Sequence, residues 1–206
     1  MKLQQDKYII CLEGMVGAGK STQLERLNAR FQPNSDLIPE LNDITPMKEL
    51  RDELRSTGRI SNLQREDVIR IVRARAEIQQ RLLKQSTKPI VLMDRGLYTG
   101  MVFESGTLSM WEVERISLDS GVIIPDLCFI LYCPVDKALQ RIDERRARLG
   151  KYPHRAFHET EDYLAMTRKR YFEIAQIRPA VLVETSGTVD QVENKIMGAI
   201  YNAKIL

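Results

Sequence analysis

Cysteine is scarce in this chain of 206 residues, with three in all, and their positions exclude most cysteine chemistry. Cys11, Cys128 and Cys133 lie in or beside short apolar runs and lack metal-ligand spacing, which suits buried free thiols in a reducing compartment. Long hydrophobic runs are missing too. The apolar stretches are strand-sized, so neither a membrane-spanning helix nor a membrane partner is expected. Met1 to Lys7 is polar and leads straight into the first apolar run, which predicts no cleaved signal peptide and a cytoplasmic location. Charge of one sign is not in large excess. A net charge of +3 is too small to argue for binding a nucleic acid polymer, although basic residues crowd between Arg141 and Arg155. Repeats and low-complexity segments are absent, and 43% hydrophobic with 29% charged residues is an ordinary globular composition. One domain over residues 1–206 is expected.

What the chain does carry is an alternation of short apolar runs with helical stretches. The runs are Tyr8 to Leu12, Leu37 to Ile38 with its flanks, Pro89 to Met93, Leu127 to Cys133 and Val181 to Val183. Continuous apolar runs are the pattern of parallel strands covered on both faces. Ser61 with Gln64 three residues on has capping-box spacing, and Val68, Ile69, Ile71, Val72, Ile78, Leu82 and Leu83 predict a long helix to about Leu83. Further helices are expected near Leu108 to Leu118, Val135 to Leu149, His158 to Ile177 and Val189 to Ala203.

Directly after the first run stands Gly14-Met15-Val16-Gly17-Ala18-Gly19-Lys20-Ser21. The pattern G-x-x-x-x-G-K-[ST] is that of a phosphate-binding loop. Glycines let the backbone turn with its N–H groups inward, the lysine reaches the β- and γ-phosphates, and the hydroxyl ligates Mg²⁺. The helix that follows adds the positive end of its dipole. Gly14, Gly17, Ala18, Gly19, Lys20, Ser21 and Thr22 are therefore candidate ATP-binding residues. The expected fold is α/β, a three-layer α/β/α P-loop NTPase with a five-stranded parallel sheet and an arginine-rich helical lid at about 141–158.

Switches, motors and kinases share such a loop, and other residues point to transfer onto a small molecule. The run Ile90 to Met93 delivers Asp94 and Arg95 at a strand end, where open α/β sheets bind ligands. Asp94, with Ser21, is a candidate for the Mg²⁺ shell, and the fork of Arg95 suits an acceptor phosphate or hydroxyl. Met15, Val16, Gly17 and Ala18 offer no cationic side chain, so charge building on the transferring group must be met elsewhere. The lid arginines Arg141, Arg145, Arg146, Arg148 and Arg155 are available. Of these, Arg141, Arg145 and Arg148 share one helical face and so are expected to converge on a triphosphate, with Arg145 and Arg148 the catalytic candidates. Gly150 to Arg155 breaks the helical pattern, as a mobile lid would. Arg75, inside Arg73-Ala74-Arg75-Ala76-Glu77, sits where a charged residue ordinarily faces solvent. Tyr98, Phe157 and Tyr163 are candidates to stack on an acceptor base.

Taken together, Glu13-Gly14 through Thr22-Gln23, Asp94-Arg95, the basic lid, Tyr163-Leu164, Arg170-Tyr171 and Ala175 resemble the thymidylate kinase family over nearly the whole chain. The resemblance implies ATP- and Mg²⁺-dependent transfer to a small nucleotide acceptor, dTMP to dTDP. It also implies that Arg75 and Arg95 hold the acceptor, and that Thr185 to Thr188 close over adenine, which makes Thr188 a nucleotide-binding candidate. Members are usually homodimers built from helix packing, and the apolar stripe from Val68 to Leu83 is a candidate surface for it. Two departures bear on the acceptor: Ile38-Pro39-Glu40-Leu41-Asn42 lacks an arginine the family carries after its second strand, and Gly96 follows Asp94-Arg95.

Three alternatives stand beside that reading. Asp94-Arg95-Gly96-Leu97-Tyr98-Thr99 also resembles deoxynucleoside kinases, and Glu40 stands where those enzymes place a base for the 5′-hydroxyl; a phosphate acceptor needs no such base. A nucleotide switch is disfavoured because no Asn-Lys-x-Asp segment and no Asp-x-x-Gly after a strand occur. A binding module without acceptor chemistry is the third.

Overall fold

Five strands and eight α-helices alternate along the chain in a computed structural model that describes residues 7–150 and 156–204. The strands are β1 (Tyr8–Gly14), β2 (Ser35–Ile38), β3 (Ile90–Asp94), β4 (Leu127–Tyr132) and β5 (Val181–Glu184). The helices are α1 (Lys20–Phe31), α2 (Met47–Ser56), α3 (Arg65–Gln85), α4 (Leu97–Phe103), α5 (Met110–Asp119), α6 (Val135–Leu149), α7 (Glu161–Ile177) and α8 (Val189–Asn202). The strands lie in the order β2-β3-β1-β4-β5, and β2 with β3 and β4 with β5 pair in parallel. The expected α/β architecture with a five-stranded parallel sheet is present. β1 and β3 are buried along almost their whole length, whereas the edge strands β2 and β5 leave Leu37 and Leu182 exposed. Among the described residues no helix is long and apolar enough to cross a membrane.

Several boundaries differ from the sequence reading, each for a local reason. The long helix begins at Arg65, not Ser61, because Arg59–Ser61 forms a single 3₁₀ turn. The capping spacing recurs three residues later: the Gln64 N–H donates to Asp67 Oδ2 at 3.0 Å, and a carboxylate there also suits the positive end of the helix. The stretch from His158 likewise opens with a 3₁₀ turn, Phe157–Glu159, before α7. Helices α2 and α4 were not anticipated. Of the apolar stripe on α3, Val68, Ile71, Val72 and Ile78 are buried within the chain itself.

The chain divides into two compact units. The first comprises residues up to Cys11 together with Phe31–Asp126, and the second comprises Leu12–Arg30 together with the residues from Leu127 onward. In the first unit, Lys7 Nζ donates to the carbonyls of Leu83 (3.0 Å) and Ser86 (2.6 Å), which puts a cation at the negative end of α3. The Asp126 carboxylate accepts from Ile9 N–H at 2.8 Å, and Gln79 Oε1 accepts from Ile123 N–H at 3.2 Å. In the second unit α1 is tied to α8: Arg26 pairs with Asp190 and Glu193, both at 2.5 Å, and Arg30 pairs with Glu193 at 2.7 Å. Gln23 Nε2 donates to Val189 O at 3.1 Å beside them.

Thr188 caps α8. Its hydroxyl accepts from Gln191 N–H at 3.3 Å, and its own N–H donates to Gln191 Oε1 at 2.9 Å. Thr188→Ala should therefore lower the unfolding free energy by about 1 kcal/mol in a urea titration, with the slope of the transition unchanged.

Candidate active site

The residues that carry the expected chemistry fall into two groups, one in each unit. In the second unit β1 ends at Gly14, which has φ +134°, and a β-carbon there would lie 2.0 Å from the Leu131 carbonyl oxygen. Only glycine fits, so the chain turns out of the strand at this residue. Gly17, at φ +79°, is equally confined, with the Ala138 carbonyl 2.7 Å from a β-carbon position. The Ala18 N–H closes the turn on Met15 O at 3.3 Å. Lys20 opens α1 and is 7% exposed; its ammonium donates to Gly14 O and Met15 O, both at 3.0 Å. Ser21 and Thr22 follow on the exposed first turn. Glu13, just before the loop, is fully buried and accepts from the Tyr171 hydroxyl at 3.1 Å.

The basic helix α6 is joined to this loop by one arginine. Arg141 Nη1 donates to Gly17 O at 3.3 Å and to Thr185 Oγ1 at 3.2 Å, and its Nη2 donates to Thr185 O at 2.5 Å. Lys137 Nζ donates to the next carbonyl, Ser186 O. The segment after β5 is thus bound to the loop through Arg141 of α6. Arg145 and Arg146 both pair with Glu159, at 3.1 and 2.9 Å, and Arg148 is exposed. The shared face of Arg141, Arg145 and Arg148 therefore does not converge: the first points to the loop, the second to Glu159, and the third to solvent.

In the first unit Asp94 is half-buried at the end of β3, and Arg95 follows with φ +70°. That left-handed conformation costs a non-glycine residue roughly 1–2 kcal/mol, a strain typical of functional positions. Arg95 Nε stands 2.9 Å from Glu40 Oε1, and its guanidinium lies 5.3 Å from the Phe103 ring centroid. Arg75 contradicts its expected solvent exposure, being 4% exposed while Arg73 and Glu77 on the same helix face out. Its Nη2 contacts Glu104 Oε2 at 2.6 Å, and Arg51 Nη2 pairs with Glu104 Oε1. Tyr98 is buried on α4.

A family model described as Thymidylate kinase matches residues 12–196. The chain belongs to the thymidylate kinase family. Members are kinases that use ATP as phosphate donor and act on small nucleotide substrates. A probable thymidylate kinase of Thermococcus kodakarensis is 27% identical, with 93% of this chain and 96% of that protein covered. A thymidylate kinase of Thermosipho melanesiensis is also 27% identical, with 88% and 90% covered. The solved structure of thymidylate kinase from Candida albicans shares the fold, with a TM-score of 0.70 at 20% identity over 97% of this chain and 93% of that one.

Within this thymidylate kinase family member, some relevant side chains escaped the sequence reading. Arg51 lies on α2, whose apolar positions Met47, Leu50 and Leu54 carry helical spacing that marks the element in hindsight. Glu104 and Glu159 bear no local signal, since their arginine partners are brought to them from other elements. Of the expected lid, residues 151–155, with Arg155, lie outside the described residues. Phe157 is 79% exposed and meets Tyr163 edge-on, with ring centroids 5.2 Å apart.

The electrostatics of Glu104 are specific. Burial alone pushes its carboxyl up, but Arg75 and Arg51, the hydrogen bond from Arg75 and the charge of Arg95 outweigh that and hold it below the usual range. A depressed carboxyl contributes stability that is complete above its unfolded value and is lost as pH falls through its folded one. Glu104→Gln should therefore cost about 3 kcal/mol at pH 7. The gap to the native chain should narrow as pH falls below about 4.3 in thermal unfolding runs between pH 7 and pH 3.

Proposed function

We propose that this chain transfers the γ-phosphoryl group of ATP to dTMP, giving dTDP. The observation that carries the reading is a closed phosphate loop with Lys20 seated on it, in a chain whose residues 12–196 match the thymidylate kinase family. In the donor half, Lys20 and the N–H groups of Gly14, Gly17, Ala18 and Gly19 hold the β- and γ-phosphates. When phosphates arrive, the ammonium exchanges its carbonyl partners for phosphate oxygens. Ser21 and Thr22 stand at the positive end of α1, which adds its dipole. Arg141, already on Gly17 O and Thr185, fits a role beside the nucleotide, and Thr188 contributes by setting the start of α8.

Two residues suit Mg²⁺ by donor chemistry, since both present hard oxygens: the exposed Ser21 hydroxyl and the Asp94 carboxylate. Among the described residues no group of three metal-ligating His, Cys, Asp or Glu side chains occurs. In phosphoryl-transfer sites Mg²⁺ is held by one or two side chains together with phosphate oxygens, directly or through water. Bound by either residue, the ion would neutralise charge on the phosphates.

In the acceptor half, Arg95 and Arg75 orient the acceptor nucleotide. Arg95 is preset by its backbone conformation and by Glu40, so little ordering remains when it binds. A monophosphate acceptor is ionised at neutral pH and needs no base, so Glu40 acts here as the partner of Arg95. Arg145 and Arg148 neutralise charge during transfer, and Arg145 must leave Glu159 to do so. The three buried cysteines, none of them in a disulfide, support assignment to the reducing cytoplasm.

The direct test is ADP release with ATP and Mg²⁺ against a panel of nucleoside monophosphates and their parent nucleosides. Turnover is expected with dTMP; turnover with nucleosides alone would move the assignment to nucleoside kinases, with Glu40 as base. Lys20→Ala should fold normally and lose at least about a thousandfold in kcat, and native-like turnover would remove the loop from the mechanism. Arg95→Ala should raise the KM for dTMP at least tenfold while leaving ATP affinity within twofold, and an equal loss of ATP affinity would refute its acceptor role.

A further inference from the structure

The mechanism above makes no use of Glu104, a buried carboxylate of the first unit that is paired with two arginines. Glu104 is 3% exposed and closes α4, and it meets two arginines carried by two other helices, Arg51 on α2 and Arg75 on α3. Each carboxylate oxygen is taken by a different arginine, Oε1 by Arg51 Nη2 and Oε2 by Arg75 Nη2. Without a negative charge between them, the two guanidinium groups would repel at close range in a poorly solvated setting.

The contacts are also incomplete in an informative way. Arginine–carboxylate pairs are frequently two-pronged forks. Here each arginine gives Glu104 a single Nη2 contact, and the Nε groups of both Arg51 and Arg75 are buried with no hydrogen-bond partner among the described residues. Arg75 is more than nine-tenths buried, and native proteins rarely leave buried donors unmet. Both arginines thus keep buried N–H donors that lack acceptors among the described residues. An anionic ligand rich in acceptor oxygens would supply them.

We propose that Glu104 is the positioning residue for the acceptor: it holds Arg51 and Arg75 side by side so that their unmet N–H donors bind the oxygens of a nucleoside monophosphate. The inference rests on the acceptor reading given under Proposed function, and it brings Arg51 into the acceptor site. Glu104 itself acts through the two arginines. Its effect falls on acceptor binding, because holding guanidinium groups in place lowers the cost of ordering them when the ligand arrives. ATP, bound through the phosphate loop, is unaffected.

The test is steady-state kinetics on the full chain, with Glu104→Gln, Glu104→Asp and Arg51→Lys beside the native sequence. Thermal unfolding of each variant confirms that the assay temperature lies below its transition. Glu104→Gln should raise the KM for dTMP at least tenfold, with kcat changed less than threefold and the ATP dissociation constant, measured without acceptor, within twofold. Glu104→Asp, which keeps the charge, should recover part of the loss. Arg51→Lys, which keeps charge but removes the fork, should raise the same KM, and the double variant with Glu104→Gln should lose less than the product of the two. The proposal is overturned by a dTMP KM within twofold of native in Glu104→Gln, by a matching loss of ATP affinity, or by no recovery with Glu104→Asp. Absence of native turnover with every monophosphate would instead sink the acceptor reading, and this proposal with it.

Discussion

The chain passes so close to the Leu131 carbonyl at Gly14 that no β-carbon can be present, and the shape of the phosphate loop depends on that approach. Because the backbone is pinned there, β1 ends at a defined residue and the loop begins in a conformation open to glycine alone. Lys20 then falls where its ammonium reaches back to Gly14 O and Met15 O, which stabilises the loop around it. Gly17 repeats the constraint against Ala138. Arg141, one turn further along α6 from Ala138, fastens the loop to Thr185.

Arginine is the second organising element, and in four clusters its geometry is set by a carboxylate. Glu104 holds Arg51 and Arg75, Glu40 stands beside Arg95, Glu159 gathers Arg145 and Arg146, and Glu193 takes Arg26 and Arg30. The buried members differ in kind from the exposed ones. Arg55 with Asp52 and Arg70 with Glu53 are solvated surface pairs of small energetic weight. At Glu104, by contrast, losing one partner strands charge in a poorly solvated place, so the cluster is both costly to break and exact in placing donors.

How far the sequence could be read depended on whether a feature was local. The phosphate loop was legible because its function needs fixed residue types at fixed spacing. Helix α6 was found with its observed limits, Val135 and Leu149, as its periodicity is unbroken. Helix α4 was not, since Leu97–Phe103 contains Gly100 and the β-branched Thr99 and Val102; burial of six of its residues overrides that poor propensity. The misplaced start of α3 came from two overlapping capping patterns three residues apart, of which the structure uses the one with the carboxylate of Asp67.

By itself the sequence determined the fold class, the position of the phosphate loop, the strand-end pair Asp94-Arg95 and the supply of arginines, because these are short-range patterns that local chemistry imposes. Tertiary structure alone decided what each arginine does. Arg73 and Arg75 stand two residues apart on one helix, yet the first faces solvent and the second is buried against Glu104, 29 residues away. Arg141 and Arg145 share a helix face and go to Thr185 and to Glu159. The reason is physical: a guanidinium on a long flexible stem takes the strongest acceptor that packing brings within reach, and packing brings that acceptor from elsewhere in the chain.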